Sequence, residues 1–172
     1  MMVAAIDPGK KGYVVVLDSK SDQAHKFKLE FDAQGGLDGH LLQKQITESK
    51  AELILLEKVM GRSGWSATNN FNFGSAWGQL YQIIRLSNLP HRLVVPQQWQ
   101  KIIHQGIDGK LEAKEKSLVA YTQFFPHNPI PRGPRSGKID DNLLDAMLIA
   151  TYGVMEYAKD SFRSWGFVEV GV

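Results

Sequence analysis

Five acidic side chains, widely separated along the chain, stand where a cation site would need them. Asp7 closes the apolar run Met2-Val3-Ala4-Ala5-Ile6, and Glu57 closes a second, Leu53-Ile54-Leu55-Leu56. Asp140, Asp141 and Asp145 open the apolar helical pattern Ala146-Met147-Leu148-Ile149-Ala150. A carboxylate beside apolar strands is costly to bury unless positive charge compensates it. A pair of divalent cations would do so, and such cations take oxygen ligands. Asp141 and Asp145, four apart, share one helical face, and their mutual repulsion is relieved only by a cation between them. Asp140 lies about 100 degrees round that helix from Asp141, which makes it the alternative ligand. Singly, the acids have blander uses: Asp7 as a turn residue before Pro8-Gly9, Asp140 or Asp141 as a helix cap. Glu57 has no such use. Together they point to metal-dependent phosphate chemistry, though spacing alone does not separate a nuclease from a phosphatase or a sugar kinase.

The elements needed to position these acids are legible in the patterning. Met2–Ile6, Tyr13–Leu17 and the alternating His25–Phe31 read as three strands joined by short turns, hence an antiparallel meander. A helix from Leu37 to about Lys50 follows the Gly35-Gly36 break, and Leu53–Leu56 reads as a strand covered on both faces. A long helix from about Asn70 to Ser87 carries Phe73, Trp77, Leu80 and Ile84 at helical spacing. A short strand at Arg92–Val95 precedes helices at Gln97–His104, Leu111–Phe125 and Asp141–Lys159. The order implies an α/β fold: a mixed five-stranded sheet, three antiparallel strands then two parallel, flanked by helices. Parallel pairing of the first and fourth strands would aim Asp7 and Glu57 into one crevice. Residues 1–172 read as a single domain, with a mobile basic loop at 126–138.

Bulk composition narrows the classes. The formal charge is only +2, so any surface for a polyanion must be local. There is no cysteine, which excludes disulfides and Cys-based zinc sites. No segment approaches the roughly 18 apolar residues of a membrane span, and a soluble cytoplasmic protein is expected. A sugar kinase of the actin-like kind would need a second lobe, for which 172 residues leave no room.

Four segments, spread over nearly the whole chain, carry a resemblance to a known family. They are Ala5-Ile6-Asp7-Pro8-Gly9, then Leu55-Leu56-Glu57-Lys58-Val59, then the stretch from Asn72-Phe73-Gly74 to Val95-Pro96-Gln97-Gln98-Trp99, and finally Lys138–Ala150. The chain resembles the RuvC family of Holliday junction resolvases, of RNase H-like fold, and looks closest to its phage-type branch. The resemblance implies a structure-selective endonuclease that resolves four-way DNA junctions as a homodimer, by paired nicks leaving 5′-phosphate and 3′-hydroxyl ends. It implies two Mg²⁺ ions, with Mn²⁺ as a substitute, held by Asp7, Glu57, Asp141 and Asp145. A bacterial or phage-infected host cytoplasm would be the setting. Many cellular members space the last two acids by three, and here that position is Asn142; the choice among Asp140, Asp141 and Asn142 stays open. Met60 stands where cellular members often carry a wedging aromatic, so either Met60 or Trp65 takes that role. The rivals are a less selective debranching or flap nuclease, and a catalytically silent junction-binding module.

Candidate DNA contacts cluster next to the acids. Arg132, Arg135 and Lys138 bring three cations to the rim of the acidic helix, as a polyanionic substrate requires. Lys138 could contact the cleaved phosphate or stay a solvated lysine. Lys110 and Lys114 belong to a second basic stretch, interrupted by Asp108, Glu112 and Glu115. The loop after Glu57 offers Met60, Arg62 and Trp65, the last able to stack on a base or to anchor the loop. Asn69, Asn70 and Asn72 could add uncharged contacts to DNA or, in the first case, cap the helix. Gly74 and Gly78 would let another helix approach closely.

Overall fold

The structure is a computed structural model, and it describes residues 1–59, 61, 64–134 and 136–158. Strands β1 (Met2–Asp7), β2 (Tyr13–Asp18) and β3 (Ala24–Lys28) form the expected meander, with Asp7 opposite Tyr13 and Met2 opposite Asp18. The β1–β2 turn is closed by Gly12 N donating to the Gly9 carbonyl at 3.0 Å. A side chain at Gly12 would put its Cβ 2.1 Å from the Asp7 carbonyl oxygen, so glycine is obligatory there. β3 stops at Lys28, short of the predicted Phe31, because Leu29 turns inward to the core and Phe31 bridges to Leu37.

Helix α1 (Gly39–Glu48) starts two residues later than the pattern suggested, because the Asp38 carboxylate caps it by accepting from Leu41 N. It crosses over to β4 (Leu53–Glu57), which pairs parallel to β1. Helix α2 (Ala67–Leu86) leads to β5 (His91–Val94), parallel to β4. Helices α3 (Pro96–Ile103), α4 (Ala113–Phe124) and α5 (Asp141–Tyr157) complete the chain, and the sheet order is β3-β2-β1-β4-β5. The predicted end of the last helix at Lys159 lies outside the described residues, as does the tail at 166–172.

The period-2 alternation of the strands sorts side chains onto two faces. Val3, Ala5, Val15, Leu17, Leu53 and Leu55 point to a core shared with α3, α4 and α5. Ala4, Ile6, Val14, Val16, Ile54 and Leu56 point to a second core under α1 and α2. Helix α5 is buried without interruption from Ala146 to Val154. Gly153 makes that possible: a Cβ there would meet Leu55 Cδ1 at 2.5 Å and Val3 Cγ1 at 2.7 Å. The basic segment before α5 is closed by an Arg132–Ile139 bridge, with Gly133 N bonded to the Lys138 carbonyl and Asp140 N to the Pro131 carbonyl.

Candidate active site

Asp7 and Glu57 follow directly on the paired residues Ile6 and Leu56 of two parallel neighbouring strands. They therefore leave the sheet at the same edge, on backbones roughly 4.8 Å apart. Their parity matches Val3, Ala5, Leu53 and Leu55, which sends both carboxylates to the face covered by α3 and α5. Each is only 8% exposed, a placement that needs compensation. Glu57 is gripped by two indoles. Nε1 of Trp99, a buried residue of α3, donates to Glu57 Oε1 at 2.9 Å, and Trp77 Nε1, from α2, donates to its backbone carbonyl at 2.9 Å.

The acids of α5 take different roles. Asp140 is the helix cap: its Oδ1 accepts from Leu143 N at 3.3 Å and its Oδ2 from the Tyr13 hydroxyl at 2.7 Å. Burial, reinforced by that carboxylate, pushes the Tyr13 hydroxyl up to about 12. With both oxygens engaged, Asp140 is placed as a structural anchor tying α5 to β2. Asp141 pairs with the Lys114 ammonium of α4. One turn on, Asp145 is partly buried, and its carboxyl is pushed up to about 7. Burial is the main cause, and the negative charges of Glu57 and Asp141 add to it; Lys114 and a hydrogen bond with Ser117 pull the other way. Ser117 Oγ also meets His104 Nε2 at 3.2 Å.

Three elements thus deliver Asp7, Glu57, Asp141 and Asp145 to one sheet edge. Among the described residues, no three His, Asp or Glu side chains converge into a ready-made ligand shell. In this arrangement Trp99 holds the Glu57 side chain and Lys114 holds that of Asp141. The donor set nevertheless fits hard divalent cations in chemistry: it is all oxygen. The Asp145 carboxyl is raised first by burial and then by the charges of Glu57 and Asp141, and a cation beside it would favour its ionised form.

No family model and no curated protein matches the chain. Solved structures do. Thermus thermophilus RuvC in complex with a Holliday junction substrate superposes with a TM-score of 0.66 at 17% identity, covering 94% of this chain and 98% of that one. Thermus thermophilus RuvC alone gives 0.64 at 19%, with the same coverage. The yeast mitochondrial Holliday junction resolvase Ydc2 gives 0.60 at 16%, covering 94% of this chain and 83% of that one. The fold is that of RuvC.

Lys138, Arg132 and Lys110 are exposed, and Arg132 donates to the Gly137 carbonyl at 2.7 Å, bracing its own loop. Lys114 stays on the surface and pairs with Asp141. Trp65 is 40% exposed and meets Phe73 edge to face, with ring centroids 5.8 Å apart. The Asn70 amide donates to the Trp65 carbonyl at 3.4 Å, so it braces that loop. Met60, Arg62 and Arg135 lie outside the described residues. No described helix is long and apolar enough to cross a membrane. Sequence reasoning missed Tyr13 and Ser117, took His104 only as part of the second basic stretch, and took Trp99 only as part of a family motif. With Trp99 42 residues from Glu57, no local pattern pointed to their pairing.

Proposed function

We propose that this chain is a member of the RuvC family: a metal-dependent, structure-selective endonuclease that resolves four-way DNA junctions by paired nicks. The observation that carries the reading is the delivery of four carboxylates, from β1, β4 and α5, to one end of the parallel strands of a RuvC-like fold, with the Asp145 carboxyl pushed up by burial and by its neighbours' charge. Asp7, Glu57, Asp141 and Asp145 would hold two Mg²⁺ ions, or Mn²⁺ in their place. When bound, those ions supply an activated water and charge stabilisation for displacement at phosphorus. The protein's own part is positional. Trp99 fixes the rotation of Glu57, Ser117 that of Asp145, and Tyr13 anchors the start of α5 through Asp140. Lys138, Arg132 and Lys110 supply exposed positive charge for the DNA backbone around the edge.

A homodimer is part of the proposal. On α2, Phe71, Gly74 and Gly78 share one exposed face, Phe71 is 75% exposed, and a side chain at either glycine would meet nothing within 4 Å. Such a face suits a two-fold helix contact, which would set two acidic edges on opposing strands of a two-fold symmetric junction.

The test uses a labelled synthetic four-way junction, a flap and a linear duplex, each with and without Mg²⁺. Paired nicks on the junction alone, with 5′-phosphate ends, are expected. Asp7→Asn and Asp145→Asn should retain junction binding in a gel-shift assay and lose nicking. Normal nicking by either variant would refute the proposal, and equal cutting of all three substrates would favour a general debranching nuclease.

A further inference from the structure

Helices α4 and α5 meet along a short ladder of polar contacts. Lys114 pairs with Asp141, and Ser117, one turn further along α4, bonds to Asp145. Ser117 is buried, and its Oγ has a second partner, Nε2 of His104, at 3.2 Å. His104 sits at the C-terminal cap of α3. Its imidazole meets the ring of Trp99 edge to face, with centroids 5.9 Å apart. Trp99 is the residue whose indole donates to Glu57 Oε1. His104 therefore touches both of the side chains that hold an acid, and through them it reaches Glu57 of β4 and Asp145 of α5.

Counting protons fixes the direction of this chain. A hydroxyl has a single hydrogen to donate. The bond from Ser117 favours the ionised form of Asp145, so the hydroxyl is the donor there. Only lone pairs of Oγ are then left for His104, and Nε2 must bring the hydrogen. Burial, with the positive charge of Lys116 adding to it, holds the imidazolium below the usual histidine range. A neutral ring has one N–H, and here it belongs on Nε2 rather than Nδ1. In the other tautomer Ser117 would turn its hydrogen to the ring, and Asp145 would lose its donor.

We infer that His104 is a positioning residue for the acids: its Nε2–H keeps the Ser117 hydroxyl aimed at Asp145, and its ring steadies the Trp99 indole that holds Glu57. The inference rests on the proposed reading of these acids as a cation site, and names what keeps that site in shape. Groups that orient ligands in this way are typically worth 10–100-fold in metal affinity.

Two experiments test it. The first needs neither cation nor DNA: the imidazole nitrogens of the ¹⁵N-labelled, metal-free protein are read by NMR near neutral pH, with His104→Gln identifying the signals. His104 should be the Nε2–H tautomer with its ring proton protected from water, and Ser117→Ala should lose that proton signal to exchange. A ring protonated on Nδ1, or a signal indifferent to Ser117→Ala, would overturn the inference. The second measures Mg²⁺ binding by calorimetry on variants whose melting shows them folded. His104→Leu and Ser117→Ala should each weaken binding about 10–100-fold. His104→Gln restores an N–H donor and should stay within about threefold of the wild type. Because the two residues share one hydroxyl, adding His104→Leu to Ser117→Ala should cost less than it does alone. Full multiplication of the two effects, or a His104→Gln as weak as His104→Leu, would also overturn the inference. A protein with the expected ring signals that binds no Mg²⁺ or nicks no junction would sink the nuclease reading alone.

Discussion

Replacing Asp145 by asparagine should stabilise the metal-free protein. The native carboxyl is pushed up to about 7, whereas in the unfolded chain it loses its proton near the ordinary aspartate value of 3.8. Between those values the folded form binds the extra proton, so stability falls as pH rises and levels off above 7. At 1.36 kcal/mol per pH unit, the span from 3.8 to about 7 amounts to about 4 kcal/mol. Water at the exposed edge of the side chain screens part of this, which leaves about 2–4 kcal/mol for the variant at pH 8. For a chain of this size, each kcal/mol moves the melting temperature by about 2–4 °C. The assay is thermal and urea unfolding of both proteins in EDTA from pH 5 to 8.5. The curves should already differ by about 1–2 kcal/mol at pH 5, which lies above the unfolded-chain value of 3.8, and diverge by of order 5–15 °C at pH 8. Added Mg²⁺ should raise the wild type and leave Asp145→Asn almost unmoved. A variant that is less stable than wild type at pH 8, or that shares its pH dependence, would refute the electrostatic account of this site.

Four further outcomes follow from the same geometry. Trp99→Phe keeps the ring in its buried slot but removes the donor to Glu57; Mg²⁺ titration of nicking should show a requirement raised about 10–100-fold, with a smaller change at saturation. Lys114→Met removes the counter-ion of Asp141, so the metal-free protein should melt earlier above pH 7 and its shift on adding Mg²⁺ should grow; an unaltered shift would show that Lys114 has no electrostatic hold on the acids. Gly153→Ala forces a Cβ against Leu55 and Val3, and urea unfolding should register a loss of about 1–3 kcal/mol. Gly78→Leu meets open space within the monomer and replaces a poor helix former, so the monomer should melt no earlier, while sedimentation analysis should show the dimer weakened.

The acids and the sheet were legible because each rests on local pattern. An apolar run ending in one carboxylate marks a strand edge, and the meander followed by a strand–helix–strand order leaves few topologies for β1 and β4. Boundaries shifted where a polar side chain decided them. Ser66 caps α2, its side chain accepting from Asn69 N, and so starts the helix at Ala67, ahead of the Asn70 suggested by apolar spacing. Partnerships were not legible at all. Tyr13 and Asp140 are 127 residues apart, Trp99 and Glu57 42, and Lys114 and Asp141 27. Nothing in local sequence specifies which cation or indole the fold will bring to which acid. The choice between Asp140 and Asp141, open from spacing, gains a physical basis once Asp140 is seen to spend one oxygen on the helix cap and the other on Tyr13.

Because α5 is enclosed from Ala146 to Val154, its first two turns cannot shift without dragging a rod through packed core. The two sides of the sheet are consequently unequal in evolutionary freedom. Substitutions under α5 would disturb the alignment of the carboxylates, whereas the exposed start of α2 can be rewritten with that alignment left standing. A lineage carrying this scaffold can thus remodel that surface while inheriting the arrangement of its acids intact.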